Sequence, residues 1–382
     1  MKNSILILVF CLFIACKTDK KNDSPLQSAP PTKIEINHAK GFSIETTNNG
    51  LTIIEVSSAW PGATTSFKYA LAPKNKMASI TLNKEEYDAI VATPIERLIV
   101  TSTTHIPSLD ALGVTNKLVG FPKTSLISSE NTRKLIDAGH IKELGNNETL
   151  NTEIAISLRP EVLVGFGINN QNKAYETIIR SNIPVVYNGD WTEESPLGKA
   201  EWVKFFAPFF GLETKADSIF KSIEKSYEQT KAIVKDVTKK PTVLTGGLYK
   251  DVWHVAGGKS WMAQFLQDAK TDYLWKETQE TGGISQSLET VLATAQHADF
   301  WLNPSILTSY AEVEESNEHY TQFDAYKNKT IFSNTIAKGA TGGLLYYELG
   351  PMRPDLVLKD LIHIFHPELL PDHQLFFFKP LE

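Results

Sequence analysis

TKADSIFKSIEKSYEQTKAIVKDV (214–237) decides how the rest of the chain must be organised. Ala216, Ile219, Phe220, Ile223, Tyr227, Val234 and Val237 recur at three- and four-residue intervals, the period of one helical face, and Lys and Glu fill the other. No Gly or Pro interrupts the run, and Lys239-Lys240-Pro241 stops it. At about 1.5 Å per residue it makes a rod of roughly 36 Å, the width of a domain. A helix of that length between two unlike halves of a chain reads as a link.

Short apolar strands stand on both sides of the link. RLIVTST (97–103), KLVGF (117–121), EVLVGF (161–166) and PVVYNG (184–189) precede it, with helical patterns such as NKAYETIIRSN (172–182) between them. TVLTGG (242–247), DFWLNP (299–304) and TIFSNT (330–335) follow it. Alternation of β and α segments predicts mostly parallel sheets covered on both faces. The expected fold is therefore α/β: two Rossmann-like lobes, 94–213 and 238–382, joined by the single long α-helix 214–237. Residues 34–93 read as a β-rich N-terminal extension, since GFSIETTNNGLTIIEV (41–56) carries apolar runs on either side of the turn Asn48-Asn49-Gly50.

The first 16 residues read as a targeting segment. Lys2 is followed by ILILVFCLFIA (5–15), an apolar run of secretory length that is short for a membrane span. Phe-Ile-Ala-Cys ending at Cys16 resembles the lipobox of bacterial lipoproteins, with Phe13 where Leu is usual. That resemblance makes Cys16 the lipidated first residue of the mature protein, anchored to a membrane of the cell envelope. The polar, Pro-rich stretch 17–33 suits a flexible tether. Cys11 and Cys16 are the only cysteines, so a processed chain has no thiol for disulfides, thiolate metal sites or a cysteine nucleophile. With 42% hydrophobic and 21% charged residues among 382, the chain can build real cores. The formal charge of −6 becomes −7 when Lys2 is removed, and Lys and Arg form no long cluster, which leaves nucleic-acid binding without electrostatic support.

LNTEIAISLRPEVLVGFG (150–167) in the first lobe is echoed by QSLETVLATAQHADFWLN (286–303) in the second. Each runs from a glutamate through a short apolar helix and a polar break into a buried strand. Together with RLIVTSTTHIPSLDALGVTNKLVGF (97–121) and WHVAGGKSW (253–261), in this order around a linking helix, they resemble the helical-backbone periplasmic binding proteins. These serve ABC importers of iron–siderophores, haem and cobalamin, and the resemblance spans about Pro94 to Pro380. It implies a monomer that holds a small-molecule metal chelate between its lobes and delivers it to a permease dimer with its ATPase. It also implies that Glu153 and Glu289 dock one lobe each onto the permease, whereas singly either is an ordinary capping-turn glutamate.

A ligand is expected in the cleft where strand ends converge. His105, which opens a helix after a strand, either faces that cleft or is a hydrogen-bonded loop histidine. Trp191, among Gly, Asp and Thr after a strand, reads as an exposed platform. From the second lobe come Tyr249 and Trp253 as loop-borne aromatics, Trp261 as ligand wall or core, Tyr347, and Arg353 as either an anion grip or a salt bridge. The nine histidines are scattered with no HxH pair, so a bare metal ion is disfavoured and a ferric siderophore or other chelate fits better, with no covalently bound cofactor. No G-x-S-x-G, G-x-G-x-x-G or phosphate-loop motif supports an enzyme, and the adjacent Glu193 and Glu194 are expected to point into water. An envelope lipoprotein that kept the fold for sensory or structural work is the other class.

Overall fold

A computed structural model describes residues 32–382 apart from 78, 81, 148 and 170, so the leader, Cys16 and nearly all of the tether lie outside the described residues. The strands gather into four sheets. In the first, β1 (Thr32–Ile34), β2 (Phe42–Thr46), β3 (Thr52–Val56) and β4 (Phe67–Pro73) pair antiparallel in turn, and β5 (Ala89–Thr93) joins β4 in parallel. The β2–β3 connection turns at Gly50, whose φ of 83° suits glycine.

The second sheet holds β6 (Leu98–Val100), β7 (Leu118–Phe121), β8 (Lys142–Glu143), β9 (Val162–Gly165) and β10 (Val185–Tyr187) in the order β10-β9-β6-β7-β8. All its pairings are parallel. Every residue of β6, β7 and β9 is buried, as continuous apolar runs require when both faces are covered. Leu98, Val100, Val162 and Val164 face one core; Ile99 and Leu163 face the other, against Ala155, Tyr175 and Ile178 of the helices Thr152–Ser157 and Lys173–Arg180.

Beyond the link, β11 (Thr242–Thr245) is followed by a small antiparallel sheet of β12 (Gly247–Tyr249), β13 (Val252–Ala256) and β15 (Gly283–Gln286). The main sheet of this lobe runs β14-β11-β16-β17-β18, with β14 (Asp272–Tyr273), β16 (Phe300–Leu302) and β17 (Ile331–Ser333) parallel to β11 and β18 (Lys379–Pro380) closing it antiparallel. Many helices start on a side-chain cap: Ser129, Asn151, Asn172, Ser195, Ser260 and Ser287 each accept a hydrogen bond from a backbone N–H in the first turn.

The linking helix runs Glu213–Ile233, about 32 Å, and stops short of the expected residue 237. From Val234 the chain tightens into three-residue turns, Val237 N–H bonding the Val234 carbonyl at 3.1 Å, and Val234 stays buried in the second lobe. Ala216, Phe220 and Ile223 belong to the core of the first lobe, Tyr227 to that of the second. One helix thus completes two cores, which ties the lobes together more firmly than a loop could.

The extension is not a loose appendage. Ile44, Ile54, Val56, Tyr69 and Leu71 share one core with the first lobe. Two buried carboxylates fasten it. Glu201 accepts the backbone N–H groups of Asn37 (3.0 Å), His38 (2.7 Å) and Ala39 (2.9 Å) and pairs with Lys204 at 2.9 Å. Glu193 accepts those of Lys40 (2.9 Å) and Gly41 (2.8 Å) and the Trp202 indole N–H at 3.1 Å. The expectation that Glu193 points into water is therefore corrected; its neighbour Glu194 does so.

Candidate functional site

In both main sheets the order reverses beside the first strand: β6 lies between β7 and β9, and β11 between β14 and β16. Loops from strands on either side of such a reversal part at their carboxyl ends and leave a crevice. Large apolar side chains are left exposed there from both lobes. Leu126 follows β7, Ile168 follows β9, Trp191 follows β10, Tyr249 ends β12, Ile306 follows β16 and Tyr347 follows β17. Their exposure runs from 38% at Trp191 to 80% at Ile306. Isolated exposed apolar residues are common, and Ile179, Ile233 and Leu369 are exposed elsewhere; what these six share is a place after the strands of the two lobes. On the first lobe a hollow of about 330 Å³ opens at these ends, with Thr101, Ser102, Phe121, Leu126, Asn147 and Phe166 among its walls.

Trp191, Tyr249 and Tyr347 are all exposed. Trp191 sits in the turn Asp190–Thr192, held from beneath by Lys199, whose ammonium donates to the carbonyls of Asp190 (3.1 Å) and Trp191 (3.0 Å). Burial lowers the Lys199 pKa to about 8, against the pull of Asp190 and Glu193. Trp261 opens the helix Trp261–Asp268 and is half-buried, with Tyr346 and Phe265 at ring distances of 5.4 and 5.6 Å. The Lys199 ammonium lies 5.1 Å from its ring centre, so Trp261 spans the boundary between lobes.

Three expectations are corrected. His105 is fully buried against Phe206, its ring nitrogens without partners, in a pocket shared with unpartnered atoms of Asn188 and Asp190; burial lowers its pKa. Trp253 is fully buried, because β13 alternates and turns Trp253 and Val255 inward while Val252 and His254 face out. Arg353 has its guanidinium filled bidentately by Asp355 at 2.8 and 2.9 Å, and it lines a separate, larger hollow of about 1190 Å³ beside the linking helix. The Nε and one Nη of the fork are taken up from within its own helix start, which meets the salt-bridge reading of this residue rather than the anion grip.

A bridge between lobes borders the larger hollow. Thr341 donates to the Ser125 carbonyl at 2.8 Å, and the Glu348 carboxylate accepts the N–H groups of Ser128 (2.5 Å) and Ser129 (2.9 Å) at the start of helix Glu130–Asp137. Sequence reading missed Glu348, as it missed Ile168 and Ile306. Burial raises the Glu348 pKa to about 7, outweighing the lowering effect of the two N–H donors. A carboxyl whose folded pKa exceeds its unfolded value of 4.5 holds its proton more tightly when folded. Its contribution is therefore most favourable below about pH 4.5 and falls as pH rises to about 7, by roughly 3 kcal/mol for a shift of this size. Melting temperatures of wild type and Glu348→Gln from pH 5 to 8 should diverge accordingly, with the variant gaining on wild type as pH rises. Parallel curves would show that the buried carboxyl does not titrate in this range.

Glu153 and Glu289 occupy matching places. Each is the second residue of its helix, after the capping Asn151 or Ser287, and each is exposed. The helices lead into β9 and β16, the strands next to β6 and β11, so both glutamates lie toward the strand-end side. Among the described residues no three His, Cys, Asp or Glu side chains gather as metal ligands, and no helix is long and apolar enough to cross a membrane.

Residues 98–335, more than half of the chain, match a family model described as periplasmic binding protein. An uncharacterized lipoprotein of Methanocaldococcus jannaschii is 26% identical over 298 residues, covering 76% of this chain and 69% of the relative. Among solved structures, the periplasmic haem-binding protein RhuT from Roseiflexus sp. RS-1 is similar at a TM-score of 0.55 and 19% identity, covering 72% of this chain and 99% of its own. A periplasmic haem-binding protein from Pseudomonas aeruginosa is similar at 0.55 and 19%, covering 75% and 95%. At such identities the likeness concerns the fold.

Proposed function

Because the chain belongs to the periplasmic binding protein family, we propose that it is the substrate-binding lipoprotein of an ABC importer, capturing a ferric siderophore or similar metal chelate between its lobes. The permease, with its ATPase, would dock on Glu153 and Glu289 to receive the chelate, and Cys16 would anchor the protein to a membrane of the cell envelope. The observation that carries this reading is the set of exposed apolar and aromatic side chains at the strand ends of both lobes. Such surface gains about 25 cal/mol for each Å² that a bulky ligand covers. Arg353, the cation singled out as an anion grip, is already paired, which favours recognition by aromatic contact over recognition by charge.

Haem and cobalamin suit the same surface, and titration separates them from siderophores. Tryptophan quenching by a panel of ferric siderophores, haemin and cobalamin should reveal one tight ligand. Trp191→Ala, Tyr249→Ala and Tyr347→Ala should each weaken it about tenfold, with melting temperatures nearly unchanged because the side chains are exposed. A panel that leaves the protein silent, or variants that bind as wild type, would remove the reading. Detergent phase separation of wild type and Cys16→Ser tests the anchor in the same preparations: equal release of both into water sinks it.

A further inference from the structure

The β-rich extension precedes the residues matched by the family model, yet it reaches the strand ends where the proposed ligand site lies. β10 is the edge of the first lobe's sheet, and the Tyr69 hydroxyl of β4 accepts its Tyr187 N–H at 2.9 Å. The connection between β3 and β4 then passes the carboxyl ends of β9 and β10. Trp60 packs edge-on to Tyr187 at 5.4 Å and lies so close to Gly167 that a Cβ there would press on its ring. One residue further on is Ile168, one of the exposed apolar positions.

The same connection grips the Trp191 turn. The Thr192 hydroxyl lies within donating distance of the Ser58 carbonyl at 3.1 Å and of the Gly189 carbonyl in its own turn at 2.8 Å, and the Ser58 and Thr192 hydroxyls lie 3.1 Å apart. Gly189 approaches Ser58 so closely that a Cβ would run into its carbonyl oxygen, a position only glycine tolerates. Glu193, two residues past Trp191, is tied to the backbone of Lys40 and Gly41. The chain neighbours of two exposed apolar residues of the first lobe, Ile168 and Trp191, therefore pack against the extension. Its own Pro61, Gly62, Thr64, Thr65 and Ser66 stay exposed beside them.

We propose that the N-terminal sheet is part of the ligand site: Ser58 and Trp60 position Trp191 and Ile168, and the 61–66 loop forms a further wall that selects among chelates by bulk. The inference rests on the strand-end cleft being the binding site. A wall that touches no ligand atom in a small chelate can still exclude a large one, so its signature is selectivity rather than loss of all binding.

The test uses the full chain, the panel of ferric siderophores, haemin and cobalamin, and hydrogen–deuterium exchange with and without the tightest-binding probe. The bound probe should protect amides of 58–66 together with those of 189–192. Thr192→Val, which deletes the hydroxyl shared between Ser58 and Gly189 while conserving shape, and Ser58→Ala, which removes only the hydroxyl on the extension's side, should each weaken binding, the first about fivefold, with the melting temperature little changed. Thr64→Trp, at an exposed loop position, should discriminate against the bulkiest probe by about tenfold relative to the smallest. Protection confined to 189–192 and the second lobe, with all three variants binding the panel as wild type does, would make the extension a scaffold only and overturn the proposal. Wild type binding none of the probes is a different failure: it removes the chelate reading itself, and this inference with it.

Discussion

Trp253→Ala is expected to destabilise the protein by about 3–5 kcal/mol and to lower its melting temperature by on the order of 10 °C, while the molecules that remain folded bind ligand normally. The side chain sits at the centre of an aromatic cluster, with Trp301, Tyr320 and Phe323 at ring distances of 5.3, 5.5 and 5.6 Å. Its indole N–H donates to the Thr245 carbonyl at 3.0 Å and so pins the small sheet of the second lobe to β11. Truncation leaves a cavity among rings too rigid to close it, and leaves that carbonyl without this donor. Trp253→Phe should recover part of the packing but not the hydrogen bond. Tyr249→Ala is the matched control, four residues away on the exposed side of the same hairpin. Weakened binding at an unchanged melting temperature for Trp253→Ala would return this residue to the cleft.

The reading of Trp253 as loop-borne shows where sequence reasoning lost its way. Val252-Trp253-His254-Val255 reads apolar, apolar, polar, apolar, so the alternation seen in its burial is not written in its residue types, and flanking glycines made the segment look like a loop. The main strands were legible because each is a short apolar run between helical patterns, and the link because its stripe is long and uninterrupted. His105 was undecidable for a different reason: its burial comes from Phe206, a hundred residues away, and no local pattern reports that contact. Glu193 and Glu194 are neighbours of one type in opposite surroundings, separated only by where residues 40 and 41 pass. Arg353-Pro354-Asp355 did carry its answer, since a helix start places the two side chains side by side. Ile168 and Ile306 were passed over because apolar residues were assigned to cores. For Ile168 the signal was solitude, one apolar side chain within GINNQN after a strand; Ile306 is followed by Leu307, which packs against the core, and carried no such signal.

Glu153→Lys combined with Glu289→Lys is expected to leave ligand affinity and the melting temperature close to wild type and to reduce uptake by cells or reconstituted vesicles about tenfold or more. The separation follows from position. Both glutamates are exposed residues in the first turn of a helix, and no partner in either core depends on them. At a helix N-terminus a carboxylate is favoured by the backbone dipole, and the Glu289 pKa is lowered by its own N–H and the Ser287 hydroxyl, so it stays ionised at neutral pH. Two such charges, one per lobe at equivalent places, would let a permease with basic pockets hold both halves and register their separation. Lysine should be worse than alanine, because it sets like charge against those pockets rather than merely removing a contact. Docking should weaken as salt rises, since the contacts would lie at an exposed interface. Single substitutions should have intermediate effects, each lobe keeping its partner's hold. Comparison at matched ligand occupancy is essential, because a defect in capture would otherwise look like a defect in delivery. Normal uptake by the double variant under that condition would reduce the two echoed segments to a repeated element of the fold, and docking would have to be sought elsewhere on the surface.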